Sequence, residues 1–119
     1  MKKYANVIQK EIIDFLESEN HYATNIEKTS KRGESDILAC INSRFFAIEV
    51  KTTDKMSYNQ YAKRQQILSA GGYYLIIHSL SEFKLLYNAY INNDLYAIKV
   101  HIDYYNEIFE IFKGNPINF

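Results

Sequence analysis

Asp36, Glu49 and Lys51 are the residues in this chain whose types and spacing point most directly to chemistry. They lie in or beside two otherwise apolar runs, Ile37–Ile41 and residues 45–50. The second run is apolar at nearly every position, which predicts a strand buried on both faces. A carboxylate or an ammonium inside such a run is costly unless something pairs it. Asn42-Ser43 separates the two runs and reads as a two-residue hairpin turn. A turn centred there pairs Ile41 with Arg44, and stepping outward along both strands brings Asp36 opposite Glu49. Opposed residues share a face, with Cβ atoms roughly 4.5–5.5 Å apart. Two carboxylates that close repel unless a proton or a metal ion lies between them. Lys51 is two residues past Glu49 and so faces the same way. A loop of odd length would shift the register by one residue and separate the pair. Taken alone, the triplet also fits a structural ion pair between Lys51 and Glu49.

The elements that must position these groups follow from the rest of the chain. Residues 4–17 carry Ile8, Ile12, Phe15 and Leu16 at helical spacing, with Glu11 at the edge of that apolar stripe. Residues 21–29 read as a first strand, and 29–34 as a polar loop containing Lys31 and Arg32. After a polar connection at 51–56, Ser57 opens a helix to about Ala70, closed by Gly71-Gly72. Ser57 and Gln60 have capping-box spacing, which by itself accounts for both. Lys63 and Arg64, one turn on, are expected to share the Gln60 face. Tyr73–Ile77 reads as an apolar strand, placed at the centre of the sheet, and Leu80–Ile91 as a helix ended by Asn92-Asn93-Asp94. Leu95, Ile98, Ile102, Tyr105, Phe109 and Phe112 form a heptad-like stripe. Alternation from Tyr96 to Ile102 leaves a strand open there. Gly114 and Pro116 supply the stop. This aromatic tail either caps the core or forms a dimer surface.

At these residues a resemblance emerges. Asp36 followed by Glu49-Val50-Lys51 resembles the D…(D/E)-x-K signature of the restriction-endonuclease-like nucleases. The closer resemblance is to the VRR-NUC family of that PD-(D/E)xK superfamily. It is carried in order by Glu11, Gly33-Glu34-Ser35-Asp36, Glu49-Val50-Lys51, Ser57-Tyr58-Asn59-Gln60 and Gly71-Gly72. It covers residues 11–77; Ser35 stands where the family often has Pro, which bears on turn rigidity rather than chemistry. The resemblance implies an α/β fold with a restriction-endonuclease-like core. That core is a mixed four-stranded sheet flanked by helices in the order αβββαβ, here followed by a C-terminal helical extension. Residues 1–119 then form a single nuclease domain, with its core at about 4–79 and the extension at about 80–119.

By the same resemblance, Glu11, Asp36, Glu49, Lys51 and Gln60 would be catalytic. Asp36, Glu49, Glu11 and the backbone carbonyl of Val50 would hold Mg²⁺ or Mn²⁺, which prefer hard oxygen donors. Lys31, Arg32, Lys55, Lys63 and Arg64 would contact the DNA backbone. The activity implied is metal-dependent, structure-specific endonucleolytic hydrolysis of DNA, including branched DNA such as Holliday junctions, by a homodimer. Two alternatives stay open: a non-catalytic nucleic-acid-binding or assembly module of the same fold, and the nuclease subunit of a restriction or mobile-element system.

Composition bounds these readings. The chain has 119 residues and a formal net charge of +0, which excludes a protein coated throughout in basic residues. Its Lys and Arg are concentrated before residue 71, where 11 face 9 Asp and Glu, against 3 and 5 afterwards. No apolar run approaches the ~20 residues of a membrane span. Cys40, the single cysteine, reads as a small buried hydrophobe, and a reducing cytoplasm fits. The three histidines lack ligand spacing, so zinc is not expected. No phosphate-binding G-x-x-x-x-G-K-[ST] loop is present.

Overall fold

The computed structural model describes residues 4–26, 36–51, 55–56, 58–112 and 117–118. Its elements are α1 (Ala5–Ser18), β1 (Tyr22–Asn25), β2 (Ile37–Ile41), β3 (Arg44–Val50), β4 (Lys55–Met56), α2 (Tyr58–Ser69), β5 (Tyr73–Ile77), α3 (Leu80–Ile91), α4 (Tyr96–Phe112) and β6 (Ile117–Asn118). The main sheet has the order β1-β2-β3-β5. β1, β2 and β3 are antiparallel, and β3 and β5 are parallel. β4 and β6 form a separate two-stranded pair.

The β2–β3 register is the one the two-residue turn predicts: Ile41 pairs with Arg44, Cys40 with Phe45 and Ile37 with Ile48. Asn42 and Ser43 both have positive φ, 48° and 67°, as a type I′ turn requires. The parity of the strands then divides the sheet into two faces. Ile37, Ala39, Ile41, Phe46, Ile48, Val50, Leu75 and Ile77 face α1 and α3, where Ile8, Ile12, Leu16, Phe83, Leu86 and Tyr87 complete the larger core. Ala47, Tyr74 and Ile76 face the other way, towards Tyr61, Ile67 and Leu68 of α2 and Tyr105 of α4.

Local chemistry places the helix ends. Ser79 caps α3 by accepting the Glu82 N–H at 3.1 Å. Gly71, at φ 95°, ends α2 in a Schellman arrangement: Gly72 N–H donates to the Ile67 carbonyl at 3.0 Å and Gly71 N–H to that of Leu68 at 3.1 Å. A Cβ on Gly72 would lie 3.0 Å from both Ile67 and Phe45 side chains, so the chain can enter β5 this closely only as glycine.

Two expectations are corrected, for β5 and Cys40, and the alternatives left open for the C-terminal stripe are decided. β5 is not central but an edge strand, and its burial comes from α4 lying along that edge, where Ile76 N–H donates to His101 Nε2 at 3.1 Å. Residues 96–102 take the helix of the two readings, and within the stripe Ile98, Ile102 and Tyr105 cap the core. Ile98 and Tyr105 are buried within this chain's own cores, and Ile102 packs beside them. Cys40 is exposed, because no described helix covers the end of β2 on its face. Phe109 and Phe112 lie in α4, but their side chains, like Gly114 and Pro116, are outside the described residues.

His101 is pushed down to about 4, chiefly by burial and then by the nearby charges of Arg64 and His78. Its Nε2 must stay unprotonated to accept the Ile76 N–H. Folding therefore favours the neutral ring: this contribution is complete above the ordinary histidine value of 6.5 and is lost as pH falls through about 4. The urea midpoint of the wild type should drop across that window more steeply than that of His101→Gln. Parallel curves would remove His101 as the cause.

Candidate active site

The turn that sets the register also builds the site. The last recorded β2–β3 pair is Ile37 with Ile48, and one step further brings Asp36 opposite Glu49. The backbone of Asp36 turns outward, its carbonyl accepting Ile26 N–H at 2.8 Å. Asp36 and Glu49 thus occupy a non-hydrogen-bonded position of the ladder, where opposed side chains come closest. Asp36 Oδ2 also accepts the Val50 N–H at 2.8 Å. Because a strand residue's N–H and C=O leave along the same edge, the Val50 carbonyl projects towards Asp36 as well.

Glu49 is 1% exposed. Its pKa is pushed up to about 9, first by burial and then by the Asp36 charge, against the opposing pull of Lys51. Gln60 of α2 donates its amide N–H to Glu49 Oε1 and accepts Lys51 Nζ on its carbonyl at 3.0 Å. Lys51 Nζ is 3.8 Å from Glu49 Oε1. Glu49 Oε2 is buried and has no hydrogen-bond partner among the described residues. Two carboxylates offer no donor between them; a proton on one lets Asp36 and Glu49 hydrogen-bond directly. The site therefore holds a buried oxygen that asks for a positive charge, either a proton or a cation.

A divalent cation fits that request on chemical grounds. Asp36, Glu49 and the Val50 carbonyl supply hard oxygens on one side, and Mg²⁺ characteristically keeps waters or substrate phosphate in its remaining positions. Among the described residues no three His, Cys, Asp or Glu side chains form a group that could hold a metal ion, so Glu11 does not join Asp36 and Glu49 in one. Glu11 is half-buried on α1, which packs against β1 and β3.

The structure separates the other candidates. Gln60 is drawn into the site, so its side chain contacts Glu49 and Lys51; Ser57, its capping partner in the sequence reading, lies outside the described residues. Arg64 shares the sheet-facing side of α2 with Gln60, as the i,i+4 spacing predicts, but it is not a backbone contact. It is 0% exposed, donates to Asn106 Oδ1 at 2.8 Å and to the Ile102 carbonyl at 3.1 Å, and cannot reach a phosphate in solvent. Burial lowers it to about 10, offset by Tyr74, Tyr61 and Tyr105 around it. Lys63 is half-buried and lines a groove beside Phe45, towards the far end of α2. Lys31, Arg32, Gly33, Glu34 and Ser35 lie outside the described residues, as does the side chain of Lys55. The anchoring of α2 through Asn106 and the Ile102 carbonyl was missed from sequence, since no motif links residue 64 to residues some forty positions away.

A mixed sheet of this order, flanked by helices, is the fold of a VRR_NUC domain: a solved one superposes with a TM-score of 0.63 over 72% of this chain and 96% of its own, at 17% identity. The VRR-NUC resemblance carried by the motifs is thus matched by the architecture. No model of a known protein family matches the sequence. A UPF0102 protein of Clostridium perfringens (strain 13 / Type A) is 33% identical over 113 residues, 87% of this chain and 88% of that protein. The chain belongs to the UPF0102 family.

The raised Glu49 has a measurable consequence. A carboxyl held above its ordinary 4.5 favours the folded state while protonated, so that contribution is complete below pH 4.5 and is lost as pH rises through about 9. In EDTA, the melting temperature of the wild type should fall between pH 5 and 9, whereas Glu49→Gln should be flatter and more stable at pH 8. A Glu49→Gln protein that melts below the wild type at pH 8 would contradict the buried, uncompensated carboxylate.

Proposed function

We propose that this protein is a metal-dependent endonuclease that hydrolyses phosphodiester bonds in DNA. The observation that carries this reading is the Asp36–Glu49 pair, opposed across the hairpin, with an unsatisfied oxygen on the buried Glu49 and the Lys51–Gln60 hydrogen bond beside it. The nuclease-type fold supports it. Asp36, Glu49 and the Val50 carbonyl would hold Mg²⁺ or Mn²⁺. Bound there, the ion supplies Lewis-acid polarisation of the phosphate and acidification of a water.

The chain's own residues do the rest. Asp36, fixed by the Val50 N–H, cannot swing away from Glu49. Gln60 orients both Glu49 and Lys51, leaving the remaining Lys51 protons directed at the substrate. The Lys51 ammonium then positions the attacking water and offsets charge that builds on the phosphate oxygens. Branched DNA, four-way junctions included, is the substrate class we favour, and paired incisions there would call for a homodimer. The contact between copies would lie outside the Ile98–Tyr105 stripe, which this chain buries itself.

The test is cleavage of linear duplex, flap, fork and four-way-junction DNA in Mg²⁺, Mn²⁺ or EDTA. Metal-dependent cutting is expected. Asp36→Asn and Lys51→Ala should lower kcat by roughly 10²–10³-fold, and Gln60→Ala by roughly 10–100-fold as a supporting contact. DNA binding without cutting in any metal would identify a non-catalytic module instead.

A further inference from the structure

The face of the sheet that carries Asp36 and Glu49 continues beyond them. By the recorded register, Thr24, Leu38 and Ala47 form the next row across β1, β2 and β3, and Tyr22, Cys40 and Phe45 the row after that. On this face α2 packs with Ala47, Tyr74 and Ile76, and Leu38 of β2 lies at the margin of the same cluster. The outer row is left open: Tyr22 is 66% exposed, Phe45 is 44% exposed and Cys40 is exposed between them. No residue in either row carries a formal charge at neutral pH. Phe45 also borders a groove of about 380 Å³, whose α2 wall includes Lys63, Gln66 and Ile67.

We propose that this open face is a stacking platform for unpaired bases, on which Tyr22 and Phe45 hold nucleotides flanking the phosphate at Asp36 and Glu49. The proposal rests on the nuclease reading for the position of that phosphate. The spacing suits it. Asp36 and Cys40 are four residues apart along β2, or ~13 Å, the reach of a few nucleotides. Tyr22 and Phe45 are two strand spacings apart, ~9.5 Å, so each ring can take its own base. Aromatic rings on an open sheet face recognise splayed bases because every base has a π-face. A duplex keeps its bases stacked on one another, so the platform selects single-stranded segments such as flaps or the unpaired nucleotides at branch points. The neutral floor also fits bases rather than phosphates. The Lys63 wall beside Phe45 gives the backbone a cationic flank, and continuity with the carboxylate pair sets one end of the track.

The chain contains no tryptophan, which makes a direct test possible. Phe45→Trp and Tyr22→Trp each introduce one indole that can still stack. In EDTA, titration with a short oligothymidylate should quench each indole, while a blunt duplex of the same length should leave it nearly unchanged. Wild-type cleavage of a single-stranded flap in Mg²⁺ or Mn²⁺ should show KM raised ~5- to 100-fold in Tyr22→Leu and Phe45→Leu, and restored by the tryptophan variants. Unchanged indole emission with single strands would overturn the platform even if the enzyme cuts. So would emission that responds only to protein concentration, the sign of a second copy on this face. Quenching without cleavage of any substrate by wild type would leave the platform standing and bring down the nuclease reading instead.

Discussion

Everything at the site depends on one close encounter, that of Asp36 and Glu49 across a non-hydrogen-bonded position of an antiparallel pair. Two acidic groups there are unfavourable in the folded protein alone. Burial raises the cost, because Glu49 has exchanged water for a sheet face roofed by α2. The fold tolerates this because the rest of the ladder is committed by its apolar register: slipping by one residue would turn Ile37, Ala39, Ile41, Phe46 and Ile48 out of the core. The core therefore holds the carboxylates together against their own preference. On the proposed reading, a cation bound there would meet groups already brought together, with no need for reorganisation.

The second dependence runs through α2. This helix brings Gln60 to Glu49 and Lys51, yet its only fully buried side chain is the arginine at position 64. An arginine is an unusual anchor, since its charge must be satisfied where water is excluded. Here the carbonyl of Ile102 and the side-chain oxygen of Asn106 receive its protons, with the rings of Tyr74, Tyr61 and Tyr105 close by. α4 in turn lies along the edge of β5 and takes up the Ile76 N–H through His101. The C-terminal helix thus does two things for the site from a distance: it blunts an edge strand and it seats the helix that carries Gln60. Burial first, and then this same charged anchor, keep His101 neutral, so the two polar contacts on α4 are electrostatically consistent with each other.

Much of this was legible in the residues. Asn42-Ser43 between two apolar runs determined the hairpin, its I′ turn and hence the pairing of Asp36 with Glu49. Strict period two then put Lys51 on the same face. The stripe of Ile8, Ile12 and Leu16, Gly71-Gly72, and Asn92-Asn93-Asp94 marked the helices and their ends, because these signals act within one or two turns of chain. Where local patterns were ambiguous, the residues could not decide. Gln60 satisfied a capping box as well as a site position, Tyr96–Ile102 satisfied both periods, and Cys40 read as buried because its neighbours along the chain are.

The tertiary structure settled what depends on partners distant in sequence. It made β5 an edge strand, sent Arg64 inward to α4 instead of outward to solvent, turned the Ile98–Tyr105 stripe onto this chain's own core, and left Tyr22, Cys40 and Phe45 uncovered. Each outcome turns on where one helix lies against the sheet, and that depends on the shape and volume of side chains meeting across the whole fold. The sequence by itself determined which charged groups meet at the end of the hairpin and in what register, because backbone hydrogen bonding and the period of a strand are local. Only the packed molecule decided which charges would be buried, which face would stay open and what would hold α2 in place, because burial is a property of the whole surface and not of any segment.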